Sequence, residues 1–126
     1  MSVLVRADAR RRSETPNAVM ETCASPTLGG TDGQSLWWVQ MREGAAGPPH
    51  VVDSEQIWAL IEGSARLQVG ADRWELQAGD TVVLPAGVVR QVTARSALRA
   101  VVTGSGTATV SVPGEDGSRG TPPWIA

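Results

Sequence analysis

Few residues in this chain can carry out chemistry, and the most versatile of them occur singly. His50 is the only histidine and Cys23 the only cysteine, all eleven basic side chains are arginine, and lysine and tyrosine are absent. An imidazole can accept and release a proton near neutral pH, whereas a protein Schiff base, a phenolic acid and a histidine-rich metal cage are all excluded. Cys23 has no basic partner in the sequence, so we expect an incidental or buried thiol. These residue types favour acid/base chemistry at one imidazole.

Composition limits the class of protein and its partners. The chain has 126 residues, a formal net charge of −2 and 19% charged residues, which predicts a single domain with no nucleic acid and no membrane among its partners. Its basic run, Arg10 to Arg12, is expected to be a solvated terminal segment. There is no signal-peptide pattern and no apolar run long enough to span a membrane, and one cysteine suits a reducing compartment. We therefore expect a cytoplasmic protein.

The elements that position these residues are short strands separated by Gly, Pro and Asp. Their regular spacing, with no sustained helical period, predicts an all-β fold, an antiparallel barrel or sandwich. The predicted strands are Leu36–Arg42, His50–Val52, Gln56–Ile61, Ala65–Val69, Arg73–Gln77, Thr81–Leu84, Val88–Thr93, Ala97–Thr103 and Thr107–Val112.

We divide the single domain, residues 1–126, into three parts. Residues 1–35 form an N-terminal arm and loop, in which Asn17–Ala24 is either a strand or one helical turn. Residues 36–112 form the barrel. Residues 113–126 form a C-terminal tail whose apolar Trp124-Ile125 pair is costly to expose, so this tail is expected to dock on its own subunit or on a neighbour.

The strand Gln56–Ile61 is apolar on both faces. Trp58 and Leu60 lie on one face, and Ile57 and Ile61 lie on the other. Both faces must therefore be covered, which predicts a roll whose inner face lines a cavity and whose outer face packs on a second sheet or another subunit. A homodimer is expected on this ground.

Two glycine-bounded segments resemble the paired motifs of the cupin superfamily. The first family motif is a glycine, five residues, a histidine, any residue, a histidine, three or four residues, a glutamate, six residues and a glycine; here it is GAAGPPHVVDSEQIWALIEG, from Gly44 to Gly63. The second motif has glycine, proline, glycine, histidine and asparagine at fixed spacings; GDTVVLPAGVVRQVTA, from Gly79 to Ala94, keeps the glycines and the proline. The resemblance implies a small antiparallel cupin β-barrel, the double-stranded β-helix or jelly roll.

The resemblance also implies where a metal would bind, and this chain departs from the family there. The four ligand positions hold His50, Val52, Gln56 and Arg90 in place of three histidines and a glutamate. Valine has no donor atom, an arginine repels a divalent cation and glutamine is a weak ligand. Asp53 and Glu55 have the wrong strand parity to replace them. We therefore expect no metal and no other cofactor.

At the same positions, strand alternation and the altered residues predict an organic-ligand pocket in place of the metal site. In this hypothesis His50 is the acid/base, Arg90 clamps a carboxylate or oxyanion, and Gln56 orients the substrate. The expected apolar lining comprises Trp58, Val52, Leu60, Val88, Val92 and either Trp37 or Trp38, which point to opposite faces of one strand.

The favoured function is a metal-independent isomerase, cyclase or dehydratase of small-molecule metabolism, for example in natural-product biosynthesis. Its substrate would carry a carbonyl or a carboxylate. The alternatives are a non-catalytic small-molecule binding or sensing protein and an atypical metal-dependent oxygenase. Structural interpretations also stay open: His50 and Gln56 as satisfied interior residues, and Arg90 in an ion pair with a carboxylate such as Glu75.

Overall fold

The computed structural model describes residues 2–126, and the regular secondary structure of this part of the chain is almost entirely β-strand. Its eleven strands are β1 Arg11–Glu14, β2 Val19–Ala24, β3 Gln34–Met41, β4 Val51–Val52, β5 Gln56–Glu62, β6 Ser64–Val69, β7 Asp72–Gln77, β8 Thr81–Leu84, β9 Arg90–Ala94, β10 Leu98–Ser105 and β11 Val110–Ser111. A single turn of 3-10 helix, Ala7–Ala9, precedes them. Every strand pair is antiparallel, so the predicted all-β antiparallel fold is confirmed.

The larger layer is a six-stranded sheet in the order β1-β2-β3-β10-β5-β8. Residues 1–35, described above as an arm and loop, contribute β1 and β2 to its edge, and Asn17–Ala24 therefore contains a strand rather than a helical turn. Burial alternates along β2, where Met20 and Thr22 are buried and Val19 and Glu21 are partly exposed. One face of β2 thus belongs to the interior.

The second layer is assembled from the three-stranded sheet β7-β6-β9 and the pair β11-β4. Isolated bridges join Ala46 to Thr93 and His50 to Arg90, so the segment that leads into β4 runs beside β9 and connects the two smaller sheets. The two layers together form the walls of a roll.

Strand β9 begins two residues later than the predicted strand Val88–Thr93. Gly87 has a positive φ of +78°, and its N–H donates to the carbonyl of Val52 at 2.9 Å. This turn keeps Val88 and Val89 out of the ladder, which starts where Arg90 pairs with Val69. The side chain of Val88 packs instead against Leu67, Val69 and Leu84.

Two apolar clusters fill the interior. The larger one joins β2, β3, β5 and β10 with Ile125 of the tail, and the smaller one comprises Leu67, Val69 and Leu84. The outer face of β5 is different, because Ile57 and Ile61 are 39% and 45% exposed. The expectation that both faces of this strand are covered is therefore not met within one chain. Among the described residues no helix has the length and apolar character to cross a membrane.

Candidate functional site

A cavity of about 470 Å³ lies between the two layers of the roll. Its volume falls within the range of about 300–1,000 Å³ that is usual for small-molecule sites. The residues that line it come from the turn before β2, from β2, β3, β4, β5, β8, β9 and β11, from the segment before β4, and from the C-terminal tail. Those used below are Met20, Trp37, Val39, His50, Val52, Gln56, Trp58, Arg90, Val92, Arg119 and Trp124.

His50 and Arg90 are held side by side by the backbone. Each residue's N–H donates to the other's carbonyl, at 3.0 Å from His50 and 2.9 Å from Arg90. Directly opposed residues of an antiparallel pair place their side chains on the same face of the sheet. The two motifs, distant in sequence, therefore present an imidazole and a guanidinium together to the cavity.

Side-chain hydrogen bonds continue this pair into a chain of four groups. Nδ1 of His50 lies 3.2 Å from the carbonyl oxygen of Pro48, so Nδ1 carries the proton and donates. Nε of Arg90 then donates to Nε2 of His50 at 3.3 Å, and Nη2 of Arg90 donates to Oε1 of Gln56 at 2.5 Å. The guanidinium thus donates to both side-chain acceptors of this series, Nε2 of His50 and Oε1 of Gln56.

Arg90 is a buried cation, and no carboxylate in the described part of the chain forms an ion pair with it. Arg90 is 5% exposed. Burial lowers the pKa of Arg90 to about 10, which leaves the guanidinium charged at neutral pH. No aspartate or glutamate is among the described residues that line the cavity. Glu75 pairs with Arg66 at 2.8 Å and with Arg95 at 3.7 Å, so the proposed structural ion pair between Glu75 and Arg90 is absent from the described structure.

The environment of His50 favours its neutral form. Burial of the ring lowers the pKa of His50 most, and the positive charges of Arg90 and, more weakly, Arg119 lower it further. The hydrogen bond to Pro48 opposes these effects. At neutral pH the ring is therefore a base with one lone pair, on Nε2, and not a ready proton donor.

Several buried N–H groups around the cavity have no acceptor within the described part of the chain. They belong to Nη1 of Arg90, Nε2 of Gln56 and Nε1 of Trp58. Gln56 is only 1% exposed, and its Oε1 is already bonded to Arg90, so its amide nitrogen is left to face another partner. A buried donor left without an acceptor costs about 1–3 kcal/mol, so these atoms mark a place where a ligand oxygen would be favoured.

The apolar wall opposite the polar chain was only partly predicted. Trp37 faces inward and is 2% exposed, which settles the choice between the two neighbouring tryptophans. Met20 and Val39 beside it, and Trp124 from the tail, were missed as cavity residues. Val39 lies two residues after Trp37 on the same strand and so shares its inward face. The position of Met20 depends on the pairing of β2 with β3, and the position of Trp124 depends on the path of the tail.

Three residues predicted to line the cavity do not. Trp38 lies on the outer face, with the guanidinium carbon of Arg99 4.5 Å from its ring centroid. Leu60 shares the face of Gln56, but at about 3.3 Å per residue it lies about 13 Å further along β5, next to a separate small void. Val88 precedes β9 and packs in the smaller core cluster. Of the remaining predicted lining residues, Val52, Trp58 and Val92 all line the cavity.

The donor set at the family's metal positions does not fit a metal ion. The guanidinium of Arg90 lies between the imidazole and the Gln56 amide and uses their acceptor atoms, while Val52 contributes only methyl groups. Asp53 is exposed and bonds the N–H and hydroxyl of Thr109, both at 2.8 Å. In residues 2–126 no group of three or more His, Cys, Asp or Glu side chains is arranged to hold a metal.

The C-terminal tail docks on its own chain and forms one side of the cavity. The carbonyl oxygen of Trp124 accepts a hydrogen bond from Thr22 at 2.7 Å, and that of Ile125 accepts one from Ser35. Ser25 donates to the carbonyl oxygen of Ala126 at 2.7 Å. The three hydroxyl-bearing residues are almost fully buried, and the side chain of Ile125 is 2% exposed in the core. The tail is therefore an integral wall.

Comparison with known proteins places this geometry in a family. The family model described as "Cupin domain" matches residues 37–109, more than half of the chain. None of the curated proteins matches the sequence at a significant level.

Many solved structures share the fold. An RmlC-like cupin from Shewanella frigidimarina has a TM-score of 0.69 at 17% identity, over 81% of this chain and 88% of that one. KdgF from Halomonas sp. has a TM-score of 0.67 at 20% identity, over 81% and 93%. Salicylate 1,2-dioxygenase from Pseudoaminobacter salicylatoxidans has a TM-score of 0.71 at 16% identity, over 83% of this chain but 31% of its own. This chain thus spans about a third of the dioxygenase.

Proposed function

This chain belongs to the cupin family, and from its altered ligand positions we propose that it is a metal-independent enzyme acting on a small molecule that bears a carbonyl or carboxylate group. The observation that carries the proposal is the chain of hydrogen bonds from His50 through Arg90 to Gln56, at the side of an apolar cavity. One neutral base beside one fixed cation suits proton abstraction next to a carbonyl.

The proposed step uses each of the three groups once. The substrate carbonyl oxygen takes hydrogen bonds from Nη1 of Arg90 and from Nε2 of Gln56, and the guanidinium shifts toward it, so that Nε of Arg90 leaves Nε2 of His50 free to act as the base. His50 then removes the proton from the neighbouring carbon, and the C–H electron pair becomes the enolate that Arg90 stabilises. Return of the proton to a different carbon completes an isomerisation, and return to a departing hydroxyl completes a dehydration.

Deuterium exchange tests this step without knowledge of the natural substrate. Small keto acids such as phenylpyruvate are incubated with the protein in D₂O, and loss of the C–H signal next to the carbonyl is followed by NMR. We expect His50→Gln to slow exchange at least about 100-fold while the dissociation constant of the keto acid changes by less than about threefold. A variant that exchanges as fast as the wild type would contradict the catalytic role of His50.

One observation favours a second function, non-catalytic binding or sensing by the same cavity. Both nitrogens of His50 are engaged, Nδ1 with Pro48 and Nε2 with Arg90, as in an interior histidine with a positioning role. In that case the keto acid binds, the wild type gives no exchange above the solvent rate, and His50→Gln changes only affinity. The same experiment therefore separates the two functions.

We also propose that the chain forms a homodimer through the outer face of the six-stranded sheet. Register places Leu36, Thr103, Ile57 and Val83 in one row across four strands. Leu36 and Ile57 are each 39% exposed and Val83 is 56% exposed, so the row is an apolar strip. A second copy that presents the same strip would cover it, and such self-complementary contacts are usual in twofold dimers.

A further inference from the structure

We propose that the ligand of this cavity is a monocarboxylate with a hydrocarbon body, bound as the counterion of Arg90. The inference rests on the proposed small-molecule function of the cavity and narrows its ligand class. It excludes polyhydroxylated and cationic molecules, which the fold alone does not exclude.

The first step is the uncompensated charge of Arg90. Buried charges in proteins are paired, because removing an ion from water costs several kcal/mol that only a nearby opposite charge offsets. Arg90 is 5% exposed, and none of the described carboxylates forms a salt bridge with it. The other cation at the cavity, Arg119, is already bonded to both carboxylate oxygens of Glu115, at 2.9 and 2.6 Å. The ligand must therefore supply one negative charge, to pair with Arg90, and a second negative charge would have no partner.

The second step is the polarity of the hydrogen-bonding atoms. Nε2 of His50 and Oε1 of Gln56 already accept from Arg90, whereas Nη1 of Arg90 and Nε2 of Gln56 are buried donors without acceptors. The site offers donors and needs acceptors. A carboxylate has two acceptor oxygens and no donor, so it suits both free donors, whereas a hydroxyl or ammonium group brings donors for which only the second lone pair of Oε1 of Gln56 is left.

The third step is the remainder of the wall. Most of it is apolar, including Met20, Trp37 and Val39 from the six-stranded sheet and Trp124 from the tail; its polar side chains are those of Thr15, Asn17 and Arg119. A hydroxylated ligand would lose its hydrogen bonds to water against this wall, whereas burial of a hydrocarbon gains about 25 cal/mol per Å². Charge is thus required at one end of the ligand and disfavoured at the other.

The test measures binding of four probes that differ in one property each. Benzoate and cyclohexanecarboxylate carry the required end and body, benzamide keeps the body without the charge, and gluconate keeps the charge with a hydroxylated body. Because Trp37, Trp58 and Trp124 line the cavity, quenching of tryptophan fluorescence reports binding, and calorimetry confirms it. We expect both apolar carboxylates to bind at least about tenfold more tightly than benzamide or gluconate.

Gln56→Glu is the decisive variant. The new carboxylate occupies the position of the amide and pairs with Arg90, so the internal counterion competes with the ligand's. We expect the fold to persist, by circular dichroism and thermal unfolding, and benzoate affinity to fall at least about tenfold. Gln68→Glu makes the same change on the exposed face of β6 and is expected to leave benzoate affinity unchanged.

The outcomes separate this inference from the proposed function. Equal binding of benzamide and benzoate, tighter binding of gluconate, no binding of either apolar carboxylate, or unchanged affinity in Gln56→Glu each overturns it. Carboxylate binding without deuterium exchange retains the inference and rejects catalysis. Exchange on a neutral ketone with no preference for carboxylates retains catalysis and rejects the inference.

Discussion

Arg90 is the residue at which stability and function are expected to conflict. Its guanidinium is buried beside His50 and Gln56 with no described carboxylate to neutralise it. Replacement of buried ionic groups by apolar residues of similar volume is often neutral or stabilising by about 1–4 kcal/mol. A site that binds an anion retains such a charge although the empty protein is less stable for it.

The first prediction concerns the double variant Arg90→Met/Gln56→Leu. We expect its free energy of unfolding to exceed that of the wild type by about 1–2 kcal/mol, and we expect it to lose benzoate binding. Both changes are made together so that Oε1 of Gln56 is not left buried without its donor; Nε2 of His50 also loses the guanidinium, but His50 lines the cavity. Chemical denaturation with and without benzoate measures both effects. A double variant that is less stable than the wild type by more than about 2 kcal/mol would show that the charge contributes structurally.

The second prediction concerns pH and His50. The pKa of His50 is lowered by burial and by Arg90, so the unfolded chain takes up a proton near pH 6.5 while the folded chain does so only at lower pH. Between these two values the unfolded state binds more protons, and the free energy of unfolding falls as pH falls; above pH 6.5 this contribution is constant.

His50→Gln is expected to abolish that part of the pH dependence, which is read from the difference between variant and wild type in denaturation at pH 7.5, 6.5 and 5.5. Because His50 is the only histidine, the NMR signals of its two ring C–H protons report its titration without overlap from another histidine. An apparent pKa at or above 6.5 in the folded protein would contradict the prediction.

At the scale of elements, the motif glycines position the strands that carry the site. Gly63 and Gly79 both have positive φ, +84° and +99°. Around Gly79 there is open space, but a Cβ on Gly63 would overlap the carbonyl oxygen of Ala97 and lie 2.9 Å from Cα of Leu98. Both turns therefore need a glycine for its positive φ, but only the turn at Gly63 also lacks space for a side chain.

The third prediction uses this pair. Gly79→Ala is expected to lower the free energy of unfolding by about 1–2 kcal/mol through backbone strain alone. Gly63→Ala carries the same strain and also forces the backbone of β5–β6 and β10 apart, so its loss is expected to exceed that of Gly79→Ala by at least about 2 kcal/mol. Thermal or chemical denaturation of both variants provides the comparison, and equal losses would refute the steric argument.

Local sequence patterns predicted most of the strands, but they missed a strand whose formation depends on pairing with another strand. Short apolar runs separated by turn residues predicted the strands from β3 to β10, and the motif spacing of Gly44, Gly63, Gly79 and Gly87 predicted that His50, Gln56 and Arg90 share one cavity. Strand β1 has the sequence RRSE, with no apolar alternation, and is a strand because β2 pairs with it.

The same distinction applies to the site. The inward choice between Trp37 and Trp38 depends on which face of the sheet meets the second layer, which no local pattern contains. The hydrogen bonds from Arg90 to His50 and Gln56 depend on side-chain conformation, so sequence reasoning named the three residues but not that the guanidinium occupies both acceptors. The unpaired charge on Arg90 follows from that geometry.

At the scale of the whole molecule, the fourth prediction concerns the oligomeric state and follows from the exposed apolar strip on the six-stranded sheet. We expect the wild type to be a dimer by light scattering, and Ile57→Lys/Val83→Lys to be a folded monomer, because two lysines per copy would face two others across the twofold axis. Gln68→Lys on the other layer is the control and is expected to remain dimeric. A monomeric wild type, or a double-lysine variant that stays dimeric, would contradict the proposed interface.

The central position of β10 has a consequence for how the molecule reaches its fold. This strand pairs with β3 on one side and β5 on the other, although β4 to β9 separate it from β3 in sequence. Until β10 inserts, both neighbours present unpaired edges, and the inner surface of β3 with Trp37 and Val39 is open to water. Closure of such long loops precedes any gain from contact, so we expect refolding on the scale of about milliseconds to seconds, with the half-formed sheet as the species most prone to aggregate.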